Sequence, residues 1–179
     1  MSIMNNFDEH KAFQKIDKKI QKMINKNIFD FFPYYVSEIK AINDIKTVLD
    51  WTDRKNVFVD FYYKDGSKYF IDSKAIQVCT KPKFEIQLYS LLHECGHYLI
   101  DESASRNPKT YVKKHRNGYL SKNKNENSLE YKVSILGEEY EAWNRGYSLA
   151  QRLGISINDI SFEKDKNKAL RTYIKWAAK

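Results

Sequence analysis

Cysteine is scarce in this chain: Cys79 and Cys95 are the only two among 179 residues. Two thiols do not build a disulfide framework, so disulfide-stapled secreted folds are excluded and a reducing compartment suits the chain better. No apolar run approaches the ~20 residues that cross a bilayer as a helix, so no membrane span is expected. No apolar segment follows Met1 either, which argues against a signal peptide and for a cytoplasmic protein. Internal repeats and low-complexity domains are also missing. These absences leave a soluble globular protein, expected to form one domain over residues 1–179 around one sizeable core.

Positive charge, by contrast, is in excess: 31 Lys and Arg stand against 23 Asp and Glu, for a net charge of +8. It is unevenly spread. Between Ser103 and Asn125 lie Arg106, Lys109, Lys113, Lys114, Arg116, Lys122 and Lys124, with no acidic residue. This stretch, 103–125, reads as a basic insertion. It is either a solvated surface or a lid that recruits an acidic substrate or nucleic acid, with Tyr111 and Tyr119 available to stack on bases.

Periodicity divides the chain into an α+β order. Phe7, Phe13, Ile16, Ile20, Met23 and Ile24 recur at helical spacing, and Val36, Ile39, Ile42, Ile45, Val48 and Leu49 do so after Pro33. Residues 1–50 therefore read as a helical N-terminal part. Residues 57–63 and 68–72 are rich in β-formers and flank Asp65-Gly66, a hairpin signal. Residues 75–80 alternate as a third strand, giving a short, mainly antiparallel sheet. A C-terminal stripe of Phe162, Leu170, Tyr173, Ile174 and Trp176 predicts a last helix packed on the core.

The chemistry concentrates in His93-Glu94-Cys95-Gly96-His97, an HExxH pattern. On a helix, histidines four residues apart share a face and can share one Zn²⁺, while Glu94, about 100° round from His93, reaches a water at that metal. Helical spacing over residues 85–100 puts Leu88, Leu91, Leu92, Cys95, Tyr98 and Leu99 on a broad apolar face opposite the histidines. Pro82 precedes this helix and Asp101-Glu102-Ser103 is expected to end it. Asp101 could also hold the His97 imidazole from behind.

A catalytic zinc takes three protein ligands and leaves a position open. The third is sought in Glu138-Glu139-Tyr140-Glu141-Ala142-Trp143. That run reads as the start of a helix capped by Ser134, running to about Leu153 and closed by Gly154. The acidic cluster has a plainer reading as a first turn favoured by the helix dipole.

Together the two motifs resemble the gluzincin metallopeptidases, particularly the compact ImmA/IrrE-like family, over roughly residues 56–153. The resemblance implies a zincin-like fold, with His93, His97 and Glu139 as zinc ligands and Ala142 as the small residue of a Glu-x-x-Ala pattern. Glu138, one residue out of register, is the fallback ligand. Trp143 stands where relatives carry an Asn or Asp that supports a zinc-bound histidine. The resemblance also places residues 75–80 on or near the sheet edge that binds an extended peptide. His115, in Lys114-His115-Arg116-Asn117-Gly118, offers a competing third ligand of the SprT-like protease kind.

The expected function is peptide-bond hydrolysis of a protein substrate, such as a regulatory protein, through a zinc-activated water with Glu94 as general base. Two other classes remain open. One is a nucleic-acid-associated binding protein working through its basic segment. The other is a phage or mobile-element interaction protein with a structural or vestigial zinc site.

Overall fold

Apolar residues three and four apart make Glu9–Ile24 an amphipathic helix, α1, with Ala12 and Ile16 as its buried positions. The Asp8 carboxylate caps it by accepting the Lys11 N–H at 3.0 Å. Helix α2, Phe31–Arg54, begins before Pro33 and takes the proline into its first turn. There a missing N–H removes no helical hydrogen bond. Asn56 turns left-handed (φ 55°) and the Val57 N–H returns to the Thr52 carbonyl at 3.0 Å, ending the helix and starting the sheet. These elements belong to a computed structural model that describes residues 6–26, 31–63, 65–106 and 127–178.

Three strands follow: β1 Phe58–Tyr62, β2 Lys68–Phe70 and β3 Ala75–Cys79, in the order β1-β3-β2. β1 runs parallel to β3 and β2 antiparallel to it, so the sheet is mixed rather than mainly antiparallel. A type I′ hairpin turn at Asp65-Gly66 needs positive φ at both residues, and only Gly66 has it (φ 77°). The strands flanking that dipeptide therefore do not pair with each other. The turn that does pair its strands spans Ile71–Lys74, with Lys74 left-handed at φ 47°. β3 is thus the central strand, which corrects its expected place at the edge: Ile76 and Val78 are fully buried and both of its sides are bonded. On β1, the Asn6 side-chain amide pairs with Phe61, accepting its N–H at 2.6 Å and donating to its carbonyl at 3.2 Å.

Helix α3 covers Phe84–Arg106. It passes the expected break at Asp101–Ser103 because Glu102 and Arg106, four apart, pair at 2.6 Å and carry the helix another turn. Residues 103–106, assigned to the basic insertion, are therefore helical; 107–126, with His115, lie outside the described residues. Helix α4 covers Leu129–Arg152 and is capped by Ser128, whose Oγ accepts the Tyr131 N–H at 3.2 Å. Ser134 is thus inside the helix, not its cap. Glu138, Glu139 and Glu141 sit in mid-helix, beyond the reach of the N-terminal dipole. Gly154 (φ 71°) closes α4 as expected. Helix α5, Asp159–Ala177, is capped by Asn158. It buries Phe162, but Ile174 and Trp176 are exposed, so the predicted stripe packs only in part.

The result is an α+β chain, mostly helical, with five helices and one three-stranded sheet among the described residues. None of these helices is long and apolar enough to cross a membrane. Contacts group the chain into two compact units, 1–91 and 92–179, with the boundary inside α3. The first contains α1, α2, the sheet and the start of α3, with Ile42, Ile45, Val48, Val57, Ile76, Val78 and Leu91 among its buried residues. There the buried Glu38 carboxylate accepts the Phe84 N–H at 3.2 Å, meeting one of the unpaired donors at the start of α3. The second contains the rest of α3 with α4 and α5, and holds the whole HExxH motif.

Candidate metal centre

Within the second unit, α3 and α4 meet through their smallest residues. A β-carbon on Gly96 would lie 2.0 Å from the Ala142 carbonyl oxygen, and one on Gly146 would lie 2.5 Å from that of Leu92. Leu92 and Gly96 are four apart, as are Ala142 and Gly146, so four-residue rows oppose each other on two locally antiparallel helices. This backbone-to-backbone approach is what carries α4 side chains to the histidines.

One turn before Ala142, Glu139 arrives between them. His93 Nε2 lies 3.2 Å from His97 Nε2 and 3.2 Å from Glu139 Oε2, while His97 Nε2 lies 3.5 Å from Glu139 Oε1. A tetrahedral ion with bonds of 2.0–2.1 Å sets its ligand atoms about 3.3 Å apart. Taking one ligand atom from each residue, all three lie within 4.8 Å of one another, and they form the one group of this kind found among the described residues that could hold a metal ion. His93 and Glu94 are 8% and 5% exposed, and His97 and Glu139 are only slightly more open.

The electrostatics favour a cation at this point. Burial pulls the His97 pKa down, but hydrogen bonds to Glu138 and Glu139 and the charges of Glu94 and Glu139 outweigh it and raise the value to about 10. Burial likewise pushes Glu139 up, yet its bonds to His93 and His97 bring it down to about 2. Without a metal, a proton held on His97 balances the carboxylates. Cys95, fully buried on the other side of the helix, has its thiol pushed up by burial and by Glu94, so it is an inert core residue.

Glu138 and Glu139 divide the work that the sequence left open between them. Glu139 faces the Nε2 atoms of both histidines, whereas Glu138 Oε1 lies 3.5 Å from His97 Nδ1, on the far side of that ring. Glu138 thus takes the backing place considered for Asp101. Glu141 points away and pairs with Arg145 at 2.8 Å. The Arg145 guanidinium also donates to the Leu99 carbonyl and to Ser103 Oγ, both at 3.0 Å, tying α4 to α3 a second time. Trp143 lies flat against His93, with ring centroids 4.5 Å apart and planes 24° from parallel.

Sequence reasoning singled out His93, Glu94, His97 and Glu139; the structure brings His93, His97 and Glu139 together, and the Glu94 charge acts on His97. It passed over Gly96, Gly146 and the contact made by Trp143. A signal for the glycines existed: each costs a helix interior about 1 kcal/mol relative to Ala. Two of them on facing helices therefore point to a close approach.

No family model matches this chain, and no curated protein or solved structure matches it either. What defines it is its own architecture: an α+β chain with a half-buried His-His-Glu cluster shared by two closely packed helices.

Proposed function

We propose that the chain is a zinc metallopeptidase of gluzincin type, cleaving peptide bonds in a protein substrate. One observation carries this reading: ligand atoms of His93, His97 and Glu139 converge within 4.8 Å of one another, with Glu94 next to His93 along the helix. His93, His97 and Glu139 would hold the ion, and Glu138 would orient His97 through Nδ1. Zinc in that place supplies a Lewis acid that brings the pKa of a water to about 7 and polarises the scissile carbonyl.

Glu94 then has two tasks. Its carboxylate takes a proton from the water as the new C–O bond forms. It returns that proton to the amine nitrogen as the C–N bond breaks. Near-complete burial suits both steps, since a carboxylate screened from solvent exchanges its proton with the reacting atoms rather than with bulk water. By the resemblance noted above, the substrate would be a regulatory protein. A reducing cytoplasm suits the free Cys79 and Cys95.

The test is zinc content by elemental mass spectrometry on chain purified without chelator or His-tag, beside proteolysis of casein. The parent should carry about one zinc per chain and cleave. Glu94→Gln should keep the zinc and lose hydrolysis by about 10²–10⁴-fold. Cleavage at the parent rate by Glu94→Gln would overturn the mechanism. A zinc-free parent, even after reconstitution, would overturn the metal site itself.

A further inference from the structure

A histidine that ligates a metal through one ring nitrogen normally donates its other N–H to a carboxylate, a carbonyl or water, which fixes the ring plane. His97 follows this rule through Glu138. His93 does not: its Nδ1 is buried and has no partner among the described residues. Its ring must be held by something else.

We propose that Trp143 is the positioning residue of His93, holding the imidazole plane by stacking rather than by a hydrogen bond, so that Nε2 faces the ion. The inference rests on the metal-site reading above. Trp143 follows Glu139 by four residues on α4, so the register that brings the ligand to His93 also brings the indole onto its face. The indole is itself fixed: it is 3% exposed, and Phe162 meets it edge-on at 5.3 Å and 76°. Gly146, three residues further along, presses on the backbone at Leu92 and His93, so ring and main chain are braced from the same helix. Trp143 Nε1 is buried and without a partner too. What the residue offers His93 is therefore its aromatic face, and an indole N–H is not needed for the task.

Two measurements on the full chain test this. The first is Zn²⁺ affinity, by competition with a chromophoric chelator, for the parent, Trp143→Phe and Trp143→Leu, with far-UV circular dichroism to verify folding. The Phe variant keeps a stacking ring and should bind within about threefold of the parent, while the Leu variant, apolar but ringless, should bind about 10–100-fold more weakly. The second uses Trp51→Phe/Trp176→Phe, in which Trp143 is the only tryptophan. Its emission should change saturably with added Zn²⁺, ending at one equivalent, because the stacked imidazole becomes a metal ligand. Parent-like affinity in a folded Leu variant would overturn the proposal. If that variant does not fold, the emission decides: zinc bound with no change in Trp143 fluorescence would overturn it equally. A parent chain that binds no zinc is a different result, and it removes the metal site on which the proposal stands.

Discussion

Gly96 and Ala142 touch backbone to backbone, with the Ala142 carbonyl oxygen 2.0 Å from the place where a β-carbon on Gly96 would sit. The obstacle is main chain in mid-helix, so no rotamer change relieves it. Gly96→Ala should force α3 and α4 apart, at a cost on the order of 3 kcal/mol, the upper end for overpacking a tight core. The same separation should carry Glu139 away from the histidines. Urea denaturation and zinc content of this variant should fall together. A stable variant with full zinc would show that the crossing can relax.

The neighbouring carboxylates should separate cleanly under mutation. Glu139→Ala removes the proposed third ligand and should abolish stoichiometric zinc. Glu138→Gln removes the charge behind His97 and should weaken zinc binding by about tenfold without abolishing it. His115→Ala should retain zinc if the third ligand is Glu139. Equal losses in Glu138→Gln and Glu139→Ala would mean that the ligand assignment between them is wrong.

Acidity offers an independent check, first on the metal-free chain. Glu139 is lowered from 4.5 to about 2, so its stabilising contribution is present above pH 4.5 and is lost as pH falls through 2. His97 is raised from 6.5 to about 10, so its contribution is full below pH 6.5 and is lost as pH rises through 10. The pair therefore stabilises the metal-free fold most between pH 4.5 and 6.5. Zinc requires neutral His97 and must displace its proton. Apparent affinity should then rise about tenfold per pH unit between pH 7 and 9. Chelator competition at three pH values measures the slope, and a flat profile would show that His97 gives up no proton.

The start of α4 makes a separate prediction. Ser128→Ala removes the cap acceptor for the Tyr131 N–H and should cost about 1 kcal/mol in thermal or chemical unfolding. Ser134→Ala, in the helix interior, should cost less. The reverse order would put the helix start back at Ser134.

That misplaced helix start shows where the sequence was legible and where it was not. The histidines of α3 are four apart on one chain segment, so their shared face follows from helix geometry alone. Glu139 was singled out by resemblance to a Glu-x-x-Ala pattern, with Ala142 as the small residue, and residue spacing alone left Glu138 open beside it. The first turns of α4 carry no such mark: Leu129 and Val133 are 70% and 55% exposed, so no buried stripe reveals the helix there. The strand order was hidden for another reason. Asp65-Gly66 is a local signal for pairing β1 with β2, whereas insertion of β3 between them is a long-range outcome. It is favoured because Ile76 and Val78 are buried and both sides of that strand are hydrogen-bonded. Trp143 was visible as a departure from a pattern, but its contact with His93 needed coordinates.

The small residues at the crossing also fix which carboxylate of α4 meets the histidines. Sliding α4 by one position would carry the fully buried Ala142 off Gly96 and bring Glu141 or Trp143 to the place where the two main chains meet. The register of the two helices is thus set by groups that take no part in chemistry. Descendants of a common ancestor would have to keep them as strictly as the ligands. Their signature would be His-Glu-x-Gly-His on one helix and Glu-x-x-Ala-Trp-x-x-Gly on the next, a far rarer string than HExxH alone.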